Sequence, residues 1–198
     1  MSGEISYRGF EYQIQVSIWL ALASILERGH DGVEVEPLGG DDLDILRDST
    51  RTIDTEDRGV TLEARGSSFD RYIVQIKGRR AGPWTPGDLE EMLTKGSAQA
   101  GARVPPFTAL TKEPRTAFLF VTDSIVSEAL SWFQVEEPDF VARTAKLPEA
   151  KNGWTTGLQT MVDKNESVFR RIGMLTRQSA REVVRSAEDL LAQHLHEI

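Results

Sequence analysis

The stretch Tyr72-Ile73-Val74-Gln75-Ile76-Lys77 decides how the rest of the chain is interpreted. Its β-branched and aromatic residues predict a β-strand. Successive side chains of a strand point to opposite faces, so Gln75 and Lys77 share one face and lie roughly 6.6 Å apart. A lysine on the inward face of an apolar strand is costly unless an anionic group pairs with it. The stretch therefore predicts a strand that carries a functional pair of polar side chains.

An earlier alternating stretch, Asp42-Leu43-Asp44-Ile45-Leu46, predicts a second strand with both aspartates on one face. That face is the candidate anionic partner of Lys77, either directly or through a metal ion. Two further acids are candidates for a second metal or for supporting the metal ligands from outside. They are Glu36, in a short strand predicted over 33–36, and Glu11, in the first predicted helix.

These residue types fit metal-assisted hydrolysis of a phosphodiester. Mg²⁺ prefers oxygen ligands and usually takes one or two carboxylates from a protein. In this interpretation Asp42 or Asp44 supplies the main carboxylate. The side-chain carbonyl of Gln75 and the backbone carbonyl of Ile76 complete the protein ligands. The metal lowers the pKa of the attacking water and neutralises charge on the phosphate, while Lys77 orients that water or stabilises the developing negative charge.

The order of these motifs resembles the PD-(D/E)XK nuclease superfamily. One variant of this superfamily has glutamine in place of the middle acid, as in Mrr-type restriction endonucleases. This variant is matched by Glu36, Asp42 and Asp44 followed by Gln75-Ile76-Lys77. Two further motifs make the resemblance more specific: Gly9-Phe10-Glu11-Tyr12-Gln13 and the later Val-Glu-x-x-Gly-Gly-Asp-Asp. Together they are similar to the double-stranded-DNA endonuclease domain at the N-terminus of bacterial anti-phage effectors, found in CBASS effectors and Avs-type STAND NTPases. The resemblance covers roughly residues 5–135.

The resemblance implies a restriction-endonuclease-like fold and cleavage of double-stranded DNA that depends on Mg²⁺, with Mn²⁺ as an alternative. It implies a homo-oligomer, assembled by a sensor or NTPase module that is fused to this domain or separate from it. The chain itself has no G-x-x-x-x-G-K-[ST] motif. The principal metal ligand stays open, because the family pattern favours Asp42 whereas Asp44 lies more squarely within its strand. Gln13 either contacts the site or caps a backbone group.

Plainer interpretations remain beside this one. The two aspartates also fit a solvated acidic turn, and Gln75 with Lys77 fit the exposed face of an edge strand. The net charge of −8 argues against a free-standing, high-affinity DNA binder, because neutralising phosphates takes clustered Lys and Arg. A basic and aromatic segment follows the strand, namely Lys77-Gly78-Arg79-Arg80 and then Trp84. It is either a patch that holds DNA phosphates or a solvated loop. The alternatives are a catalytically inactive nuclease-fold module that binds DNA or oligomerises, and a purely structural interaction domain.

The rest of the pattern predicts an α/β domain: a restriction-endonuclease-like core with a central mixed sheet flanked by helices. The apolar run Thr116–Thr122 predicts a strand buried on both faces. A first helix is predicted over 8–28, with Glu11, Ile14 and Ile18 on its inward stripe. The remaining predicted elements are a strand over 60–65, helices over 86–95, 124–133, 157–173 and 176–196, and a loop over 101–115. The nuclease core is expected over 1–135, with a helical extension over 136–198 packed on it.

Composition limits the class of protein. The chain has 198 residues, of which 39% are apolar, and its longest apolar stretches belong to amphipathic patterns, which argues against a membrane span. It has no cysteine, and its first residues lack the basic and apolar regions of a secretion signal, so we expect a cytoplasmic protein. The last helix runs to the chain end without a glycine cap, which favours a piece of a longer protein.

Overall fold

A computed structural model describes most of the chain. The described residues are 2–23, 26, 42–46, 69, 71–78, 82–95, 105–136, 138, 142–144, 147–148, 152–176 and 178–195, with only the backbone described for 2–10, 42–46 and 71. None of the helices in these ranges is long and apolar enough to cross a membrane.

Helices and strands alternate along the described chain. In order, the elements are α1 (Ser2–Leu22), β1 (Asp42–Leu46), β2 (Arg71–Lys77), α2 (Pro86–Thr94), α3 (Pro106–Lys112), β3 (Thr116–Thr122), a 3-10 helix (Glu128–Phe133), α4 (Thr156–Lys164), α5 (Glu166–Phe169), β4 (Ile172–Leu175) and α6 (Ala180–Leu195). The strands predicted around Gln75, Asp42 and Phe118 are confirmed. So is the helix after Thr85, whose hydroxyl and Asp88 form a capping box. The strands predicted over 33–36 and 60–65 lie outside the described residues.

The four described strands form one sheet in the order β1-β2-β3-β4. Parallel pairing joins β2 to β3, with Gln75 opposite Phe120, and β3 to β4, with Phe120 opposite Met174. β1 pairs antiparallel with β2. The chain is therefore an α/β fold. The prediction that the central sheet is mixed is wrong for its three strands β2, β3 and β4, which are all parallel. Among the described strands, antiparallel pairing is confined to β1 at one side.

Helices cover both faces of this sheet. All seven residues of β3 are buried, which confirms the strand predicted to be covered on both faces. One face packs against α2, α3, α4, α5 and the 3-10 helix, and its sheet residues are Ile73, Phe118, Phe120, Ile172 and Met174. The other face packs against α1 and α6, and its sheet residues are Tyr72, Val74, Ile76, Ala117, Leu119, Val121 and Leu175.

Two predictions about local structure are wrong. The helix predicted over 176–196 is confirmed as α6, but residues 157–173 do not form one helix. They divide into α4 and α5, and Ile172–Leu175 is a strand that pairs with β3. All four residues of this strand are buried, and this cover from tertiary packing outweighs local helical periodicity. The predicted loop over 101–115 contains α3, in which Pro106 occupies the first turn, where a missing backbone N–H costs nothing.

A buried arginine joins the part of the chain after 136 to the earlier part. Arg171, directly before β4, is 8% exposed and donates to the backbone carbonyls of Leu110, Glu113 and Thr116. These carbonyls lie at the end of α3 and the start of β3. Burial lowers the pKa of the guanidinium, and the carbonyl oxygens compensate its lost hydration. The residues after 136 thus contribute a strand to the same sheet as β2 and β3.

Helix α1 packs on the sheet with a different face from the predicted one. Its buried residues are Tyr12, Val16, Leu20 and Ala23, together with Ser17. Ile14 is 44% exposed and Ile18 is 51% exposed, and Glu11 beside them is exposed as well. The prediction of an inward stripe through Glu11, Ile14 and Ile18 is therefore wrong. Apolar residues recur at helical spacing on both sides of this helix, so periodicity alone does not identify the buried side.

Replacing Leu20 with alanine tests which face of α1 is buried. Leu20→Ala should lower the free energy of unfolding by about 2–5 kcal/mol, since it opens a cavity under a side chain that is 1% exposed. Ile18→Ala is the matched control and should cost less than about 1 kcal/mol. Urea denaturation of both variants gives the comparison, and equal losses would contradict this docking of α1.

Candidate functional site

The polar residues of β2 lie near the carboxyl end of an inner strand. β2 has β1 on one side and β3 on the other, and Gln75 is 7% exposed. Its side-chain Oε1 is buried and accepts no hydrogen bond within the described residues. Gln75 and Lys77 therefore do not form a pair on the exposed face of an edge strand. A buried amide oxygen without a donor is costly, and few such groups persist in folded proteins without a reason.

The pairing of β1 with β2 brings the predicted aspartate next to this amide. Asp42 is directly opposite Gln75, and Asp44 is opposite Ile73. Residues directly opposite each other in an antiparallel pair occupy the same face of the sheet. Asp42 and Asp44 thus belong to the face of Gln75 and Lys77. Asp42 is the nearer of the two to Lys77, because Asp44 is two residues further from that end of the ladder.

Lys77 and the Ile76 carbonyl complete the described part of the site. Lys77 is half-buried and pairs in register with Thr122 at the end of β3. The Ile76 carbonyl accepts a hydrogen bond of 3.1 Å from Nε2 of Gln13. Gln13 therefore caps a backbone group next to the candidate residues, which is one of its two predicted roles. Glu11 is exposed on α1, and Glu36 lies outside the described residues.

Trp84 belongs to the core below this end of the sheet. It is 2% exposed, its Nε1 donates to the Thr122 hydroxyl at 3.0 Å, and its ring meets Phe120 edge-on at 4.8 Å. A side chain in this position cannot stack on a nucleic acid, so the basic and aromatic patch predicted around it is wrong as far as Trp84 is concerned. Arg79 and Arg80 lie outside the described residues.

Sequence reasoning missed the electrostatic influence of Asp123 on Tyr12. Tyr12 is 5% exposed, and its hydroxyl has no hydrogen-bond partner within the described residues. Burial, and then the negative charge of Asp123, raise the pKa of Tyr12 well above its ordinary value. Asp123 follows β3 directly, at the carboxyl end of that strand. An acid directly after a buried strand was the signal available in the sequence.

The chemistry of the site rests on oxygen atoms. Among the side chains that the structure describes, no three His, Asp or Glu residues converge as a metal-binding group. The unpartnered Gln75 Oε1 and the Ile76 carbonyl are nevertheless the kind of oxygen donors that Mg²⁺ accepts, and the backbone of Asp42, a residue with a carboxylate, lies opposite Gln75. The residues present therefore fit a hard divalent cation.

Comparison of the chain with protein-family models, curated proteins and solved structures gives no match.

Removing the amide of Gln75 should stabilise the metal-free protein. Gln75→Leu should raise the free energy of unfolding by roughly 1 kcal/mol, because an unsatisfied buried oxygen is exchanged for an apolar group of similar size. The control is Gln159→Leu, which should destabilise the protein, since the Gln159 amide donates to the Trp154 carbonyl at 3.0 Å. Urea denaturation in EDTA measures both, and a loss at Gln75 as large as the loss at Gln159 would show that the Gln75 amide is satisfied.

The raised pKa of Tyr12 should make stability fall at alkaline pH. Above pH 10.0 the unfolded chain releases the Tyr12 proton whereas the folded chain retains it, so unfolding becomes easier as pH rises. The wild type should lose up to about 1.4 kcal/mol per pH unit relative to Tyr12→Phe in this range. Denaturation of both proteins between roughly pH 9 and pH 11 checks the sign. Parallel curves would mean that Tyr12 titrates normally.

Proposed function

We propose that this chain is a PD-(D/E)XK domain with a restriction-endonuclease-like core, which hydrolyses phosphodiester bonds of double-stranded DNA with Mg²⁺. The single observation that carries the proposal is the register of β1 and β2. It sets Asp42 opposite Gln75, whose buried Oε1 accepts no hydrogen bond within the described residues. A structural role gives no reason for such an oxygen in an inner strand, whereas a cation-binding role does.

The chain topology supports the same proposal. A long helix precedes a strand that pairs antiparallel with β2, and two helices then lead to β3, which pairs parallel with β2. A sheet flanked by helices is the coarse fold that the resemblance to the nuclease superfamily implies. The polar residues lie near the carboxyl end of β2.

Each residue has a distinct part in the proposed reaction. Asp42, Gln75 Oε1 and the Ile76 carbonyl would hold the cation, which when bound supplies Lewis acidity to the scissile phosphate and its attacking water. Lys77 donates to that water or to a phosphate oxygen as negative charge develops. Asp44 lies on the same face but further from Lys77, so its part is to support Asp42 rather than to replace it. Glu36 remains a candidate outer support, and the exposure of Glu11 gives it no part in holding this cation.

The acidic net charge of the chain weakens DNA binding by a single copy of the proposed enzyme. A single copy carries −8, which opposes the approach of DNA phosphates. A homo-oligomer places several weak DNA contacts together and raises the effective affinity without any new contact. We therefore propose an anti-phage effector that is assembled by a sensor or NTPase module, fused or separate, and that is weak as a monomer.

Removing the ammonium group of Lys77 tests the catalytic proposal. Lys77→Met should lower Mg²⁺-dependent plasmid cleavage by at least about 100-fold while the melting temperature stays near that of the wild type, because the charge acts on the reaction and the stem retains its packing. Lys95→Met is the control and should cleave normally, since Lys95 is 70% exposed and pairs with the exposed Glu91. Cleavage is assayed at high protein concentration with Mg²⁺, with Mn²⁺ and with EDTA.

The outcomes separate the nuclease from its alternatives. Wild-type protein that binds Mn²⁺ and DNA but leaves plasmid intact would favour the inactive nuclease-fold module. Protein that binds neither metal nor DNA would overturn the proposal and leave a structural interaction domain. Cleavage that persists in Lys77→Met would remove Lys77 from the reaction.

A further inference from the structure

A side chain of α1 donates a hydrogen bond to the Ile76 carbonyl. Gln13 Nε2 reaches it at 3.1 Å across 63 residues of sequence, in a partly buried position. Ile76 stands between Gln75 and Lys77, one residue past the Asp42–Gln75 pair at which the described ladder with β1 ends. The contact therefore lies just past the end of the described ladder with β1, at residues that still pair with β3.

We propose that Gln13 is a positioning residue for the candidate site. Its amide fixes the peptide between Ile76 and Lys77, and so sets the direction of the Ile76 carbonyl and the start of the Lys77 side chain. A carbonyl oxygen has two lone pairs, and Gln13 occupies one of them. In the proposed site a cation would use the other. This inference rests on the proposed function, because it gives Gln13 a task only if a cation binds beside Gln75.

The packing of α1 restricts the position of Gln13. Its neighbours Tyr12 and Val16 are 5% and 0% exposed, and both pack on the sheet face that carries Ile76. The backbone of Gln13 is therefore held by two buried contacts of the same helix. A donor fixed in this way orients its acceptor before any ligand arrives, which is how hydrogen bonds outside the ligand shell sharpen metal sites.

A plain structural role makes a different prediction. If Gln13 only satisfies a carbonyl, losing it lowers stability and leaves the affinity for a cation unchanged. If Gln13 positions the site, the affinity falls by more than the stability change explains. Metal affinity and melting temperature, measured on the same samples, distinguish the two roles.

The test uses Gln13→Met, which keeps the length of the side chain and removes the donor. Its affinity for Mn²⁺, measured by electron paramagnetic resonance, should fall by about tenfold relative to the wild type. The matched control is Gln15→Met on the same helix, whose amide oxygen accepts no hydrogen bond within the described residues. That variant should bind Mn²⁺ like the wild type. Gln13→Asn, whose shorter side chain withdraws the donor, serves if Gln13→Met does not fold.

Each outcome decides a different point. Weaker Mn²⁺ binding by Gln13→Met, with Gln15→Met unchanged and both melting temperatures near the wild type, supports the positioning role. Wild-type binding by Gln13→Met overturns that role and leaves the proposed metal site standing. Wild-type protein that does not bind Mn²⁺ overturns the metal site itself, and the inference with it.

Discussion

The fold depends on the complete burial of β3. A strand whose seven side chains are all buried requires cover on both faces of its sheet, and that requirement sets the positions of the helices. α2, α3, α4 and α5 cover one face, while α1 and α6 cover the other. Parallel partners on both sides, β2 and β4, satisfy its backbone groups. The candidate site inherits its rigidity from this arrangement, because β2 is one of those partners.

Rigid strands explain how an unsatisfied group survives at Gln75. The pairing on both sides of β2 prevents the backbone from turning the amide toward water. The unsatisfied oxygen costs roughly 1–3 kcal/mol, which a well-packed core tolerates. Local features that lower stability in an otherwise consistent structure are typical of functional sites. α1 adds to the rigidity at the same end of the sheet, with Gln13 on the Ile76 carbonyl of β2.

Local patterns predicted the strands of the site well and the surrounding packing poorly. β2 and β3 were predicted to the residue because their β-branched and aromatic runs differ from any helical pattern. The buried face of α1 was not predictable, since the helix is apolar on both sides and only the sheet selects one. β4 was mistaken for helix because its strand character comes from pairing with β3, which no local pattern records. The proximity of Asp42 to Gln75 required the register, whereas the sequence placed the two residues only in separate strands.

Glutamine rather than an acid at position 75 has a physical consequence for the proposed metal site. A carboxylate there would be 7% exposed and in register with Asp42, so the metal-free protein would hold two like charges in a poorly hydrated place. Such a pair raises the pKa of one member and destabilises the fold at neutral pH. An amide avoids that repulsion and still offers an oxygen to a cation, but it attracts the cation less strongly. Under the proposed function, the exchange favours a metal-free protein that stays folded, and DNA and neighbouring copies would supply the rest of the binding energy.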